Sequence, residues 1–235
     1  MRHIEIEGSW NVRDLGGYPT SHGKTTRWRS LLRAGNLDKV SPAGQAALVD
    51  YGIRTIIDLR DQTEVTDFPD VFAQSTLVNY QHVPIARDGY TAAYVTLREL
   101  YCNYFDGYQA NIGMIIGAIA ESEPGVLFHC FAGKDRTGIV AALLLGAVGV
   151  PDEVIAEDYA LTSGRITHLH DAWRAWAIQQ KQDMSRFEHD VSSETETMLT
   201  TLEHIHRQYG GVASYLRTCG VTEQHLSHLQ ELLLE

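Results

Sequence analysis

Between an apolar run at 125–128 and a long apolar helix signal at 139–148, the chain places His129-Cys130-Phe131-Ala132-Gly133-Lys134-Asp135-Arg136-Thr137-Gly138. This segment constrains the fold more than any other. A buried strand must end where a tight, glycine-containing loop begins, and the loop must deliver the chain into a helix N-terminus. Such a junction turns successive backbone N–H groups toward one concavity, and the helix dipole favours negative charge there. Arg136 adds a planar fork of donors that suits two oxygens of a tetrahedral anion. The same positive field favours Cys130 as a thiolate, the form that acts as a nucleophile.

A Cys-x5-Arg spacing alone is weak, and an inert buried thiol is the ordinary fate of an unpaired cysteine. Here the spacing comes with His129 before it, Gly133, Lys134 and Asp135 inside it, and Thr137 and Gly138 after it. The combination at a strand-to-helix junction points to phosphoryl chemistry. Cys130 would attack phosphorus in line while Arg136 and the loop amides stabilise the equatorial oxygens, and water would then hydrolyse the phosphocysteine. The phosphate would sit on Phe131, Ala132, Gly133, Lys134, Thr137 and Gly138. No metal or other cofactor is expected, since the loop supplies the positive charge and no His or Cys spacing reads as a zinc site.

Bulk properties narrow the class. A chain of 235 residues, 44% hydrophobic and 21% charged, suits one globular domain. We expect an α/β core over 1–150 and a helical segment over 151–235. No stretch is long and apolar enough to span a membrane, and the N-terminus carries no apolar leader. Cytoplasmic residence is the default, with export lacking a cleaved signal as the alternative. Three scattered cysteines argue against a disulfide framework, so Cys102 and Cys219 read as small apolar fillers. A net charge of −11 makes nucleic acid a poor partner. Arginines nevertheless outnumber lysines 15 to 4, and those at 13, 27, 29, 33, 60 and 136 lie near candidate site motifs. A local cationic pocket of that kind fits a phosphorylated protein or a small phosphorylated molecule.

Strands alternate with helices in the first 150 residues, which indicates a mostly parallel sheet flanked by helices, with the site at the carboxyl end of a strand. Ser41 and Pro42 suit a helix start and Gly52 its stop. The run 53–59 reads as a buried strand and 77–85 as another, and 91–122 as helix broken near Asp106 and Gly107. Beyond Pro151 we expect helices over 152–161, 166–182, 194–209 and 225–233. Trp173, Trp176 and Ala177 fall at helical spacing, which suits core packing or a lid over the phosphate pocket, with the polar stretch 179–196 as its mobile turn.

Three further clusters, Asn11-Val12-Arg13-Asp14-Leu15-Gly16-Gly17, Leu32 to Leu37, and Ile57-Asp58-Leu59-Arg60, join the loop in a pattern that spans nearly the whole chain. Together they resemble the bacterial, cysteine-dependent tyrosine-phosphatase family that includes mycobacterial protein tyrosine phosphatase B. The resemblance implies an α/β phosphatase fold, in some members with helices that cover the active site. It implies Cys130 as nucleophile, Arg136 as phosphate clamp, Thr137 as a stabiliser of the departing thiolate and His129 as a residue that orients the loop. Asn11, Arg13, Asp14, Asp58 and Arg60 would support the loop or serve only as scaffold.

The leaving oxygen needs a proton, and no Trp-Pro-Asp loop is present. Asp67-Phe68-Pro69-Asp70 reads as a turn. Asp135, typical of the family at its position, is the first candidate for general acid, Asp88 the second, and Asp58 and Asp106 follow. Family members act on phosphotyrosine, and some also on phosphoserine, phosphothreonine or phosphoinositides. A second cation in the loop, Lys134, would suit a substrate with more than one phosphate, so a phosphoinositide or metabolite phosphatase is the alternative. A phosphate-binding module without turnover is a different class, disfavoured because Cys130, Asp135, Arg136 and Thr137 are all present. A thiol redox or sulfur-transfer role ranks last, as no Cys-x-x-Cys occurs.

Overall fold

The computed structural model of the protein describes residues 2–86, 96–181 and 183–235. Five strands, β1 (Arg13–Asp14), β2 (Leu31–Ala34), β3 (Thr55–Asp58), β4 (Asn79–His82) and β5 (Val126–His129), form one sheet in the order β1-β2-β5-β3-β4. Only the β1–β2 pair is antiparallel. The register sets Ala34 and Asp58 on either side of His129. Three parallel strands therefore end together at the edge where the signature loop begins, which is where open α/β sheets place their ligands.

Side chains alternate across the sheet, as period-two geometry requires. Leu31, Ile57, Val126 and Phe128 join the larger core, and Leu32, Ile56 and Leu127 join the smaller one on the other face. Helix α1 (Pro42–Tyr51) covers the smaller core with Leu48. Its start and stop follow the sequence: Ser41 Oγ accepts from the Gly44 N–H at 3.1 Å, and Gly52 takes a left-handed φ of 118°. The short α2 (Gln62–Asp67) begins with a reciprocal cap between Asp61 and Glu64.

Helices α3 (Leu97–Gly107), α4 (Gln109–Ala120) and α5 (Asp135–Ala147) lie on the larger core. The signature helix begins earlier than its apolar run, so Asp135 and Arg136 already occupy its first turn. Residues 137–145 of α5 are all buried, which explains a composition apolar on every side. The C-terminal part is helical as expected but contains more elements: α6 (Asp152–Ala160), α7 (Thr167–Gln179), α8 (Met184–Val191), α9 (Thr195–Tyr209), α10 (Val212–Thr218) and α11 (Glu223–Leu233). The polar stretch read as a turn thus contains α8, whose Phe187 and Val191 are buried against Ala177, with Trp173 and Met184 packed alongside. This cluster is separate from the main core. The side chain of Trp176 lies outside the described set. Among the described residues no helix is long and apolar enough to cross a membrane, and all three cysteines are buried and free.

Candidate active site

The loop leaves the end of β5 and runs against the end of β2. Gly133 has φ of 68°, and a Cβ there would lie 2.5 Å from the Ala34 carbonyl oxygen, so only glycine allows this approach. Every carbonyl from Cys130 to Lys134 meets a donor. Cys130 O faces His129 Nδ1 at 3.3 Å and Phe131 O accepts from the Asn36 N–H at 2.9 Å. Ala132 O and Gly133 O accept from Asn11 Nδ2 at 3.4 and 2.9 Å. Arg33 Nη2 donates to Gly133 O at 2.9 Å, and Lys134 O accepts from the Gly138 N–H at 2.7 Å.

A trans peptide places its N–H opposite its C=O. Each carbonyl held by a donor therefore turns the N–H of its own peptide the opposite way. Among the described residues no protein acceptor takes the N–H groups of residues 131–134. Backbone donors left this way are ready to receive an anion. Cys130, at the start of the loop, is 2% exposed. The Thr137 hydroxyl is buried with no hydrogen-bond partner among the described residues.

Arg136 projects from the first turn of α5 to Glu64 on α2. Its Nη1 bonds Glu64 Oε2, and its Nη2 donates to Oε1 at 2.7 Å. Burial opposes the Arg136 cation, but the Glu64 bond and the charges of Cys130 and Glu64 hold its pKa above the usual range. Burial likewise pushes Glu64 up and the Arg136 fork more than reverses it. Lys134 is buried, its Nζ bonded to the Asp190 carbonyl near the end of α8 and 3.2 Å from Asp135 Oδ1. The same Asp135 oxygen accepts from Tyr101 Oη at 2.6 Å, and Tyr101 shares a 2.7 Å hydrogen bond with Tyr159. Burial first, and the Asp135 charge second, raise the Tyr101 pKa well above its ordinary value. The tyrosine remains a donor.

Behind the loop stand two buried charge networks. Arg13 donates through Nε to Asp158 Oδ1 at 3.0 Å, Arg33 through Nη1 to Oδ2 at 2.6 Å, and Tyr18 through Oη to Oδ1 at 2.7 Å. Burial would raise the Asp158 pKa, yet the Arg13 and Arg33 charges hold it well below the carboxylate range. Arg33 is pushed down to about 10, by burial foremost and then by the Arg13 charge. In the second network Arg60 Nε donates to both oxygens of Asp58, at 2.9 and 3.0 Å, and Tyr80 Oη donates to Oδ2 at 2.8 Å. His129 Nε2 lies 3.1 Å from Asp70 and 3.8 Å from Asp58. Burial works against the imidazolium, but the Asp58 charge and the neighbouring Asp70 carboxylate raise its pKa.

Asp58, Asp70 and His129 bring one ligand atom each within 4.8 Å of one another, a spacing a metal ion could use. Arg60 and Tyr80 already occupy the Asp58 carboxylate, so the trio fits a charged brace better than a metal centre.

The structure thus gathers His129, Phe131, Ala132, Gly133, Lys134, Asp135, Arg136, Thr137 and Gly138 around Cys130, with Asn11 on the loop carbonyls and Arg13, Asp58 and Arg60 in the networks behind. Asp14 is placed elsewhere: its carboxylate takes the N–H groups of Gly16 and Arg29 and the Tyr51 hydroxyl. Among the described residues, the arginines expected to make a local cationic pocket are already engaged. Arg13, Arg33, Arg60 and Arg136 are each paired with a carboxylate, Arg27 bonds the Leu234 carbonyl, and Arg29 lies over Tyr51. Asp88 lies outside the described residues, and Asp106 accepts from Tyr209 at 2.6 Å. Sequence reasoning passed over Glu64, Asp70, Tyr101 and Asp158. Of these only Glu64 carried a local signal, the Asp-x-x-Glu capping pattern with Asp61.

A model of the tyrosine phosphatase family matches residues 4–235. A tyrosine-protein phosphatase of Nostoc commune is 30% identical over 218 residues, which cover 86% of this chain and 73% of that protein. Triple specificity protein phosphatase PtpB of Mycobacterium tuberculosis is 27% identical, with 98% of both chains covered.

Proposed function

The chain belongs to the tyrosine phosphatase family, and from that premise we propose that it hydrolyses phosphotyrosine through a phosphocysteine formed on Cys130. The observation that carries this reading is the loop whose carbonyls all meet donors, leaving N–H groups unclaimed among the described residues beside a buried thiol and a fixed guanidinium. In the first step Cys130 Sγ forms a bond to phosphorus as the P–O bond to the phenol breaks. Asp135 gives the departing oxygen its proton, from a position that Tyr101 fixes. In the second step water attacks phosphorus, Asp135 takes its proton, and the P–S bond breaks to return the thiolate and release phosphate. The free Thr137 hydroxyl supports a bond to that thiolate. The loop amides and Arg136 meet the charge of the equatorial oxygens, so the chemistry needs no metal.

The engagement of Lys134 by the Asp190 carbonyl and Asp135 makes it part of the loop and its cover. This favours a monophosphate ester over a phosphoinositide. With Cys130 so little exposed, we assign α7 and α8 as a lid, supported by their separate apolar cluster and by the bond from Lys134 to Asp190. One apolar core runs from Leu15 to Leu233, which supports residues 1–235 as a single catalytic unit. Free cysteines suit a reducing cytoplasm.

The test measures kcat/KM on a phosphotyrosine peptide and on a soluble phosphoinositide, each with chelator present and with Cys130→Ser as control. Peptide preference, insensitivity to chelator and loss of turnover in Cys130→Ser are expected. Turnover that survives Cys130→Ser overturns the proposal.

A further inference from the structure

Phe68 follows α2 and is 38% exposed. The ring packs edge-to-face on Phe131, the residue after Cys130, with centroids 5.4 Å apart. Phe131 in turn meets Trp10 at 6.4 Å, and Trp10 meets His168 of α7 at 5.3 Å. An aromatic row thus runs from α2, past the start of the loop, to the lid.

The two phenylalanines are fixed by a single buried cation. Arg60 Nη1 donates to the Phe68 carbonyl at 2.7 Å and to Asn36 Oδ1 at 2.6 Å. The Asn36 N–H is the donor that holds the Phe131 carbonyl. The Phe68 N–H closes α2 on the Glu64 carbonyl at 2.9 Å, and the Glu64 side chain grips Arg136. The exposed ring is therefore held in register with both the nucleophile's neighbour and the phosphate fork. A ring that merely shielded Phe131 would need no such tether to the fork.

We propose that Phe68 is a specificity-determining residue: its exposed ring, held on Phe131, is the wall against which the aryl group of phosphotyrosine packs. This rests on the reading of the Cys130 loop as the phosphotyrosine site. Aromatic pairs prefer offset or edge-to-face contact at centroid separations of about 4.5–7 Å, and a phenyl ester seated at Cys130 would find Phe131 as the adjoining residue, with Phe68 packed on it. A methyl phosphate offers no ring to such a wall.

Two phosphonates that cannot turn over, phenylphosphonate and methylphosphonate, read the wall as competitive inhibitors of the full-length enzyme. In Phe68→Leu, which keeps apolar bulk and removes the ring, Ki for phenylphosphonate rises about 3- to 10-fold, and Ki for methylphosphonate stays unchanged. The KM of a phosphotyrosine peptide rises by the same factor with kcat preserved, and Phe68→Tyr restores both. Phe68→Met serves if the leucine variant fails to fold, as judged by its melting temperature. Equal losses on both phosphonates, no loss on either, or failure of Phe68→Tyr to restore affinity overturns the proposal. Activity surviving Cys130→Ser is a different result, because it removes the site reading itself and not the wall alone.

Discussion

The fork between Glu64 and Arg136 makes opposite demands on catalysis, and its magnitude decides which prevails. Glu64 engages both terminal nitrogens of Arg136, which leaves three of the five guanidinium N–H donors for phosphate. As a competitor, Glu64 would hold the cation away from substrate; as a positioner, it fixes the fork in advance. Ordering a free arginine costs up to about 2 kcal/mol of rotamer entropy, or about 30-fold in rate at 1.36 kcal/mol per decade. The pair is about one-fifth exposed, at 18% and 22%, so its Coulombic attraction is partly screened and the ordering effect is the larger one. Glu64→Gln can keep a neutral hydrogen bond, and its amide oxygen can still accept the Asp61 N–H that Glu64 Oε2 takes at 2.9 Å. We therefore expect kcat/KM on a phosphotyrosine peptide to fall about 5- to 30-fold and Ki for vanadate to rise in parallel, with little change in urea stability. An unchanged or higher kcat/KM would refute the positioning role and make Glu64 a competitor that substrate must displace.

The other expectations are shorter. Asp135→Asn lowers kcat by about 10²–10⁴-fold on phenyl esters, and a near-wild-type kcat would pass the proton-donor role to another carboxylate. Gly133→Ala drives a Cβ toward the Ala34 carbonyl, so phosphate-analogue binding measured by calorimetry should collapse while circular dichroism stays native. Asp158→Ala strands Arg13 and Arg33 in the interior and should cost about 3–5 kcal/mol in urea unfolding; a loss under about 1 kcal/mol would contradict the pairing. The pH profile of stability has two limbs of opposite origin. Asp58 and Asp158 titrate lower in the folded chain than in the unfolded one, so their contribution is complete above about pH 4 and fades as acid is added. His129 titrates higher when folded, so its contribution is complete below about pH 6.5 and fades as pH rises through the folded value. His129→Gln should flatten the alkaline limb of a melting-temperature profile and leave the acid limb in place.

What could be read in advance divides by sequence distance. The strand, loop and helix of the signature are local features, and so are the cap and stop of α1, where Ser41, Pro42 and Gly52 act on their own neighbours. Helix α8 was hidden by its polarity. Met184, Phe187 and Val191 do share a face, but that face is narrow and among the described residues clusters with Trp173 and Ala177 of α7, so the segment resembles a turn until its partner is known. Helix α10 was hidden by shortness, following two glycines at positive φ. Arg27 and Arg29 stand near the site motifs along the chain, yet in space Arg27 bonds the Leu234 carbonyl and Arg29 lies over Tyr51.

The pairings that make the site are of another kind. Glu64 meets Arg136 across 72 residues, Arg33 meets Asp158 across 125, and Arg13 meets Asp158 across 145. No periodicity encodes such a meeting; the sheet order does, by ending β2, β3 and β5 at one edge. Burial then forces the chemistry. An arginine without water requires a carboxylate, and once paired it no longer contributes a free positive charge to the pocket. That is why Arg13, Arg33, Arg60 and Arg136, drawn from 15 arginines, are each matched by a carboxylate. Asn11 and Arg33 both donate to Gly133 O, so on the proposed reading they would act on phosphate only indirectly. The backbone N–H groups on the other side of those peptides carry the positive potential, and they do so at fixed positions, without a charge that must itself be desolvated.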